Sequence, residues 1–303
     1  MSVVELESRE LQIEASTGGL WREAWERLRR NPGAILGAFF VLSFVVVALF
    51  APLIAPEGRN EQHLILLSNG CCPGPSAKHW LGVDDLGRDL MSRIMYGARF
   101  SLMVGVVSVA VGLSIGLVLG SIAGYVGGIV DSVIMRLMDI MLSIPGLLLA
   151  IGLVALLGPG LYQIMIAVGV TNIPIFARLL RGSILSQREN DFVLAARSVG
   201  VRRPAILFSH ILPNAISPVI VQGTLALATA IIDVAGLGFL GLGPQDPATP
   251  EWGTMLASAQ DFLAEQPLLA IFPGIAIVVS VLGFNLIGDG LREALDPKLR
   301  GRA

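Results

Sequence analysis

The sequence predicts an all-α, polytopic membrane protein with six transmembrane helices and both chain ends on the cytoplasmic side. Three observations carry that expectation. The 303-residue chain is 54% hydrophobic and 15% charged, with mean hydropathy +0.74, a balance that belongs to membrane rather than globular chains. Long intervals separate its charges, and a hydrocarbon layer about 30 Å thick needs roughly 20 apolar residues, wound into helix so that each backbone polar group is satisfied within the segment. Of 21 lysines and arginines, 16 fall in the terminal segments or in segments that six crossings place on the same side as the termini, and cytoplasmic segments carry that excess.

Taken in order, residues 1–34 form a cytoplasmic tail. Within it GLWREAWERLRRNPG sets Leu20, Trp21, Ala24, Trp25 and Leu28 on one helical face and charges on the other, the pattern of a helix lying in the membrane interface. Residues 35–55 are a first span, read as a retained anchor because no small-residue cleavage site follows it. Residues 56–98 form an external loop whose HWLGVDDLGRDLMSRIMYGAR segment predicts a surface helix with Leu86, Leu90, Met91 and Ile94 along one side. Here His79, Asp84 and Asp85 read as caps and solvated turns, and no metal ligand is assigned. Cys71 and Cys72 are adjacent; free thiols, a bridge to a partner and a strained ring between them all stay open.

Residues 99–290 hold the other five spans. The second ends near Gly124, and Ser108, Gly112, Gly116, Gly120, Gly124 and Gly128 recur along it every fourth residue, a small stripe where another helix can approach closely. Asp139 and Arg178 bracket spans three and four, with Gly158-Pro159-Gly160 as their hairpin; Arg136 and Asp139, three apart, are expected to pair. Span five passes Asp233 toward Gly243, and span six covers Leu268 to Ile287. A charge in lipid costs about 2.5–3.5 kcal/mol on insertion scales, so Asp233 must face protein, water or the membrane edge. It is read either as a structural acceptor near the outer end of its span or, with Gln222 and Asn285, as a candidate for lining a route through the membrane. The loop from Pro244 to Pro267 carries Asp246, Glu251, Asp261 and Glu265 without a lysine or arginine, and can meet an extracytoplasmic partner. Residues 291–303 are a second cytoplasmic tail.

The most specific segment is the polar island DFVLAARSVGVRRPAILFSHILPN. A short helix can start on Asn190 or Asp191 as N-cap, present Phe192, Ala195, Ala196 and Val199 on one face, and stop at Gly200; Pro204 then opens a second helix. Chemistry of the chain's own is not indicated. Lys78 follows Ala77 and Lys298 follows Pro297, so neither belongs to a phosphate-cradling loop; Leu286 stands where an aspartyl protease would carry glycine before Gly288-Asp289; and the sequence around Ser114 lacks a second glycine. No catalytic residue and no nucleic-acid partner is assigned.

With Ala195-Ala196, Gly200 and Ile211-Leu212-Pro213-Asn214 in this order, the island resembles the EAA loop of ABC importer permeases. Leu194 stands where that motif has glutamate, which removes the glutamate's ion pair from what the resemblance implies. RLRRNPGAILGAFFVL, HWLGVDDLGRDLMSRIMYGAR, GLGFLGLGPQDPATPEWGTML and FPGIAIVVSVLGFNLIGDGLREALDPKLR extend the similarity to the C-type permease subunit of dipeptide and oligopeptide importers. The resemblance implies the type I importer transmembrane fold in a bacterial inner membrane and a coupling loop over 181–213. It also implies a similar B-type permease, two ATPases or one fused ATPase holding ATP and Mg, and an extracytoplasmic substrate-binding protein. Asp191, Phe192, Leu194, Ala195, Ala196, Val199, Gly200, Pro204 and Pro213 would couple the chain to the ATPase. The competing expectation is a stand-alone secondary transporter or channel that uses Asp233 for ion coupling.

Overall fold

In the computed structural model, residues 20–68 and 70–295 are described. The side chains of Leu20 and Trp21, and the tail residues 1–19 and 296–303, lie outside the described part. Among the described residues all regular structure is helical except one isolated bridge between Val83 and Asp89.

Helix α1 (Leu20–Leu28) leads into α2 (Pro32–Ile54), which starts with proline in its first turn and Asn31 as N-cap accepting from the Ala34 N–H. Helix α3 (Leu90–Val126) has 37 residues, about 55 Å at 1.5 Å per residue. This corrects the separate surface helix: Asp89 caps α3 through the Ser92 N–H at 2.7 Å, and no proline breaks the run that follows, so Leu90, Met91 and Ile94 begin the second span itself. Leu86 lies in the turn before it.

Helices α4 (Gly128–Ser143) and α5 (Gly146–Leu157) form a pair bent by 93°. Helix α6 (Leu161–Gln187) follows, then the short α7 (Asp191–Ser198). From Arg203 the chain passes a three-residue turn, a π-helical turn over Ile206–Ile211 and one α turn at Leu212–Ala215 into α8 (Ser217–Leu237), which a further π turn carries to Leu242. Helix α9 (Trp252–Ala259) and α10 (Leu268–Leu295) close the chain.

The glycine stripe sets the architecture. A methyl group on Gly112 would meet Gly169 O at 2.6 Å, one on Gly116 the Phe176 Cβ at 2.6 Å, and those on Gly120 and Gly124 the backbone at Ala177 and Arg181. Positions rise together on both helices, so α3 and α6 run parallel with their backbones nearly touching. Two parallel neighbours need a return crossing between them, and α4 with α5 supplies it; counted as one broken span, the pair brings the crossings to six. Gly128 is not part of the stripe: it lies past the end of α3 at φ +62° with open space around it.

Packing against this pair, α8 builds the main core with Val104, Phe176, Leu180, Ala226, Ala230 and Val234. A second cluster joins α2, α10 and α9 around Trp252 and Phe284. Helix α1 lies on α10, with Ala24 buried and Trp25 exposed beneath the Arg29 guanidinium. Its apolar face is therefore divided between the protein and the surroundings rather than given wholly to an interface.

Charge pairs differ from the sequence expectation. Asp139 pairs with Arg178 and not with Arg136, and Asp131 grips Arg181 with both oxygens. Helix α4 folds back beside α6, so a tertiary partner outcompetes the neighbour three residues away. Cys71 and Cys72 are joined to each other in a disulfide.

Candidate functional site

The α7 region is fastened at the Val126 end of α3. Tyr125 donates its hydroxyl hydrogen to Arg203 O at 2.6 Å, and Arg188 reaches Gly124 O at 3.4 Å. Helix α6 runs through Gln187, so residues 181–187 of the expected coupling loop are helix and the loop proper starts at Arg188. Asn190 is the N-cap by position; its side chain turns to Gln187 instead of the helix.

Helix α7 closes on a Schellman turn. The Gly200 N–H donates to Arg197 O, the Val201 N–H donates to Ala196 O, and Gly200 sits at φ +77°, where a residue with a Cβ is strained. Its two faces are unlike. Val193 (0% exposed) and Ala196 (7%) enter the main core beside Ile184, Ile206, Leu207 and Ile211. Phe192, Leu194 (49%), Ala195 and Val199 (79%) point away from the chain, as does Phe208.

This redistributes the expected site. Ala196 serves the chain's own core, because its i+3 spacing from Val193 puts both on the inner face. Phe192, Leu194, Ala195 and Val199 make the outer face, and Val193, which the sequence reading passed over, is the main anchor. Pro204 sits in the first turn after Arg202 and Pro213 in the turn before α8. Beside this face a cavity of about 610 Å³ is lined by Arg188, Arg197, Arg203 and Tyr125; that basic concavity, assembled from three segments, has no signal in local sequence.

The route candidates are not gathered in one cavity. Gln222 lines a space of about 650 Å³ with Arg178, Ser183, Ser186 and Pro218. Asp233 lies on the same face of α8 eleven residues on, about 16 Å along the axis, half-buried and without an ion pair or side-chain hydrogen bond among the described residues. Asn285 is half-buried on α10.

At the Leu90 end Asp84 and Glu251 are engaged within the chain, whereas Asp246, Asp261 and Glu265 are exposed. Asp84 holds Arg88 at 2.7 Å, and Arg88 and Arg93 both donate to Pro247 O, at 2.7 and 3.0 Å. Glu251, expected to face a partner, is buried: it caps α9 by accepting from the Gly253 and Thr254 N–H groups at 2.9 Å, with the Ser101 hydroxyl at 3.4 Å. Burial pushes its carboxyl above the ordinary carboxylate range. Asp85 is raised by burial and then by Asp84. His79, expected in a solvated turn, is buried against Asp89 and Glu57.

A bundle with five or six membrane-length helices and one short helix held out from its end defines a multi-pass membrane component with a docking element. Residues 116–301 match the family described as binding-protein-dependent transport system inner membrane component, and residues 19–69 match the N-terminal transmembrane domain of oligopeptide transport permease C. The dipeptide transport system permease protein DppC of Alkalihalophilus pseudofirmus is 49% identical, over 92% of this chain and 90% of that protein. The di/tripeptide permease DppC of Pseudomonas aeruginosa is 46% identical over 93% of each, and the glutathione permease GsiD of Salmonella paratyphi A is 49% identical over 93% and 91%. Inward-facing MetNI, a methionine ABC transporter, shares the fold at TM-score 0.57 and 20% identity, covering 68% of this chain and 98% of its own. The chain belongs to the family of binding-protein-dependent transport system inner membrane components, in its C-type permease branch. The stand-alone carrier built on Asp233 finds no support among these relatives.

Proposed function

We propose that this chain is the C-type permease half of an ATP-driven importer of short peptides in a bacterial inner membrane. A similar B-type permease supplies the other half of the route. Two ATPases, or one fused ATPase, hold ATP and Mg and do the chemistry, while this subunit is non-catalytic; an extracytoplasmic binding protein delivers the substrate. The reading is carried by one observation: α7 is anchored from inside by Val193 and Ala196 and turns Phe192, Leu194 and Val199 outward. Such exposed apolar groups suit a helix-in-groove contact, and Leu194 makes that contact apolar where a glutamate would pair ionically. Arg188, Arg197 and Arg203 suit an acidic group on the same partner. Force received there passes through Pro204 and Pro213 into α8 and through α6 into α3. Dipeptides and glutathione are named for relatives, and short peptides are the shared substrate class.

The test is Ala195→Arg and Gly200→Val in the assembled transporter, with peptide uptake and ATP hydrolysis measured together. Ala195→Arg puts a long charge on the outer face, and Gly200→Val forces a Cβ into a left-handed position at about 1–2 kcal/mol. Expected is uptake reduced roughly 10-fold or more with hydrolysis no longer stimulated by loaded binding protein. Undiminished, coupled uptake in both variants sinks the proposal.

A further inference from the structure

Three side chains that the transport reading does not use meet in the loop between α2 and α3. His63 Nε2 lies 2.9 Å from one carboxylate oxygen of Glu57, and His79 Nδ1 lies 3.8 Å from the other. One donor atom of each residue falls within 4.8 Å of the other two. We propose that Glu57, His63 and His79 form a binding site for a divalent transition-metal ion of the zinc type, clipping the end of α2 to the start of α3.

Two imidazoles and a carboxylate are the donor set such ions prefer over magnesium or calcium, which take oxygen ligands. The spacing suits it. Tetrahedral ligands at about 2.0–2.1 Å from a metal stand about 3.3 Å apart; His63 approaches one Glu57 oxygen more closely than that and His79 stands farther from the other, so small side-chain shifts close the site. The framework is held in advance: the His63 N–H donates to Gly87 O at 2.8 Å, the His79 N–H to Ser76 Oγ at 3.0 Å, and the Glu57 N–H to Ser92 Oγ at 3.0 Å. Asp89 Oδ1 lies 3.2 Å from that same His79 Nδ1, so an ion bound there replaces the proton the two share and gains Asp89 as a neighbouring oxygen donor. Access exists as well, because a cavity of about 520 Å³ opens beside His63, His79 and Lys78. The Lys78 ammonium, 3.7 Å from Glu57 and otherwise exposed, stands near the cation position and competes for it. Asp84, one of the two aspartates close to His79 in sequence, is engaged by Arg88 instead.

The experiment uses the assembled, nucleotide-free transporter. Zinc is titrated by equilibrium dialysis with elemental analysis, and cobalt(II) serves as a spectroscopic probe. Expected is about one more ion per complex in the wild type than in His63→Gln/His79→Gln, an intense tetrahedral cobalt band lost in that variant, and several-fold tighter binding in Lys78→Gln. Equal metal content in wild type and double variant overturns the site, as does a wild type that gives no tetrahedral cobalt band. Should the double variant fail to assemble, the wild-type cobalt spectrum and the Lys78→Gln affinity decide. Peptide uptake is not the readout, so the metal site and the importer reading fail separately.

Discussion

Glu251 shows how one side chain can hold a function that its charge misrepresents. An acidic residue in an external loop invites a partner, yet this one is buried, caps α9 and is shifted upward by desolvation. Linkage fixes the sign. A carboxyl whose folded value is raised binds its proton more tightly in the folded state, so its contribution to stability is full below its ordinary value of 4.5 and is lost as pH rises through the folded value. Between pH 4.5 and 8 the wild-type complex should therefore lose more melting temperature than Glu251→Gln, which carries no titrating charge there; equal slopes would mean that the folded carboxyl does not titrate in this range any later than the unfolded one, so that burial has not raised it. The sequence disclosed that Glu251 is acidic and lies near Trp252, but not that Ser101, 150 residues away, would close over it. Val193 was hidden for a related reason: on an eight-residue helix with apolar groups all round, only the neighbouring π turn decides which side is inside.

At the scale of elements, glycine periodicity was the most legible feature, because a fourfold repeat in a helix has one geometric consequence. It foretold that a second backbone would lie close; that the partner is α6, and parallel, depends on a return through α4 and α5 that local pattern cannot supply. The merging of the expected surface helix into α3 has a similar origin: charges at Arg93 and Arg99 suggested a boundary, whereas Arg93 is neutralised from outside by Asp84 and Pro247 O. The α3–α6 contact makes a sharp prediction. Gly116→Leu must displace Phe176 or the Ile173 carbonyl, since even its Cβ would lie 2.6 and 3.0 Å from them, and should destabilise the bundle by about 1–3 kcal/mol or more. Gly152→Ala on α5, where nothing lies within 4 Å, should be neutral or stabilising by about 0.5–1 kcal/mol. Thermal melting of the purified complex separates the two, and similar melting temperatures would mean that the α3–α6 interface yields.

For the whole molecule, topology follows from a few contacts. The 56–89 loop precedes Leu90, whereas Tyr125 and Gly124 hold the α7 region at the opposite end of α3, about 55 Å away along the helix. The Asn31 amide donates to Glu293 at 2.6 Å, and Gly290 lies against Ala34, so the start of α2 and the end of α10 share a level. Since α2 leads from Asn31 to the 56–89 loop, that shared level is also the α7 end. Counting charges reached the same arrangement by an independent physical route, the arginine excess of cytoplasmic segments. A membrane-impermeant maleimide tests both. Val199→Cys, 79% exposed, and Trp80→Cys, 65% exposed, are compared with the unsubstituted chain, whose two cysteines are paired with each other. Inverted vesicles stripped of the ATPases should label position 199 and spare position 80, and intact spheroplasts should do the reverse. Labelling of both from one side would break the link between α7 and a cytoplasmic motor, because the docking face and the loop carrying His63 and His79 would then share a compartment.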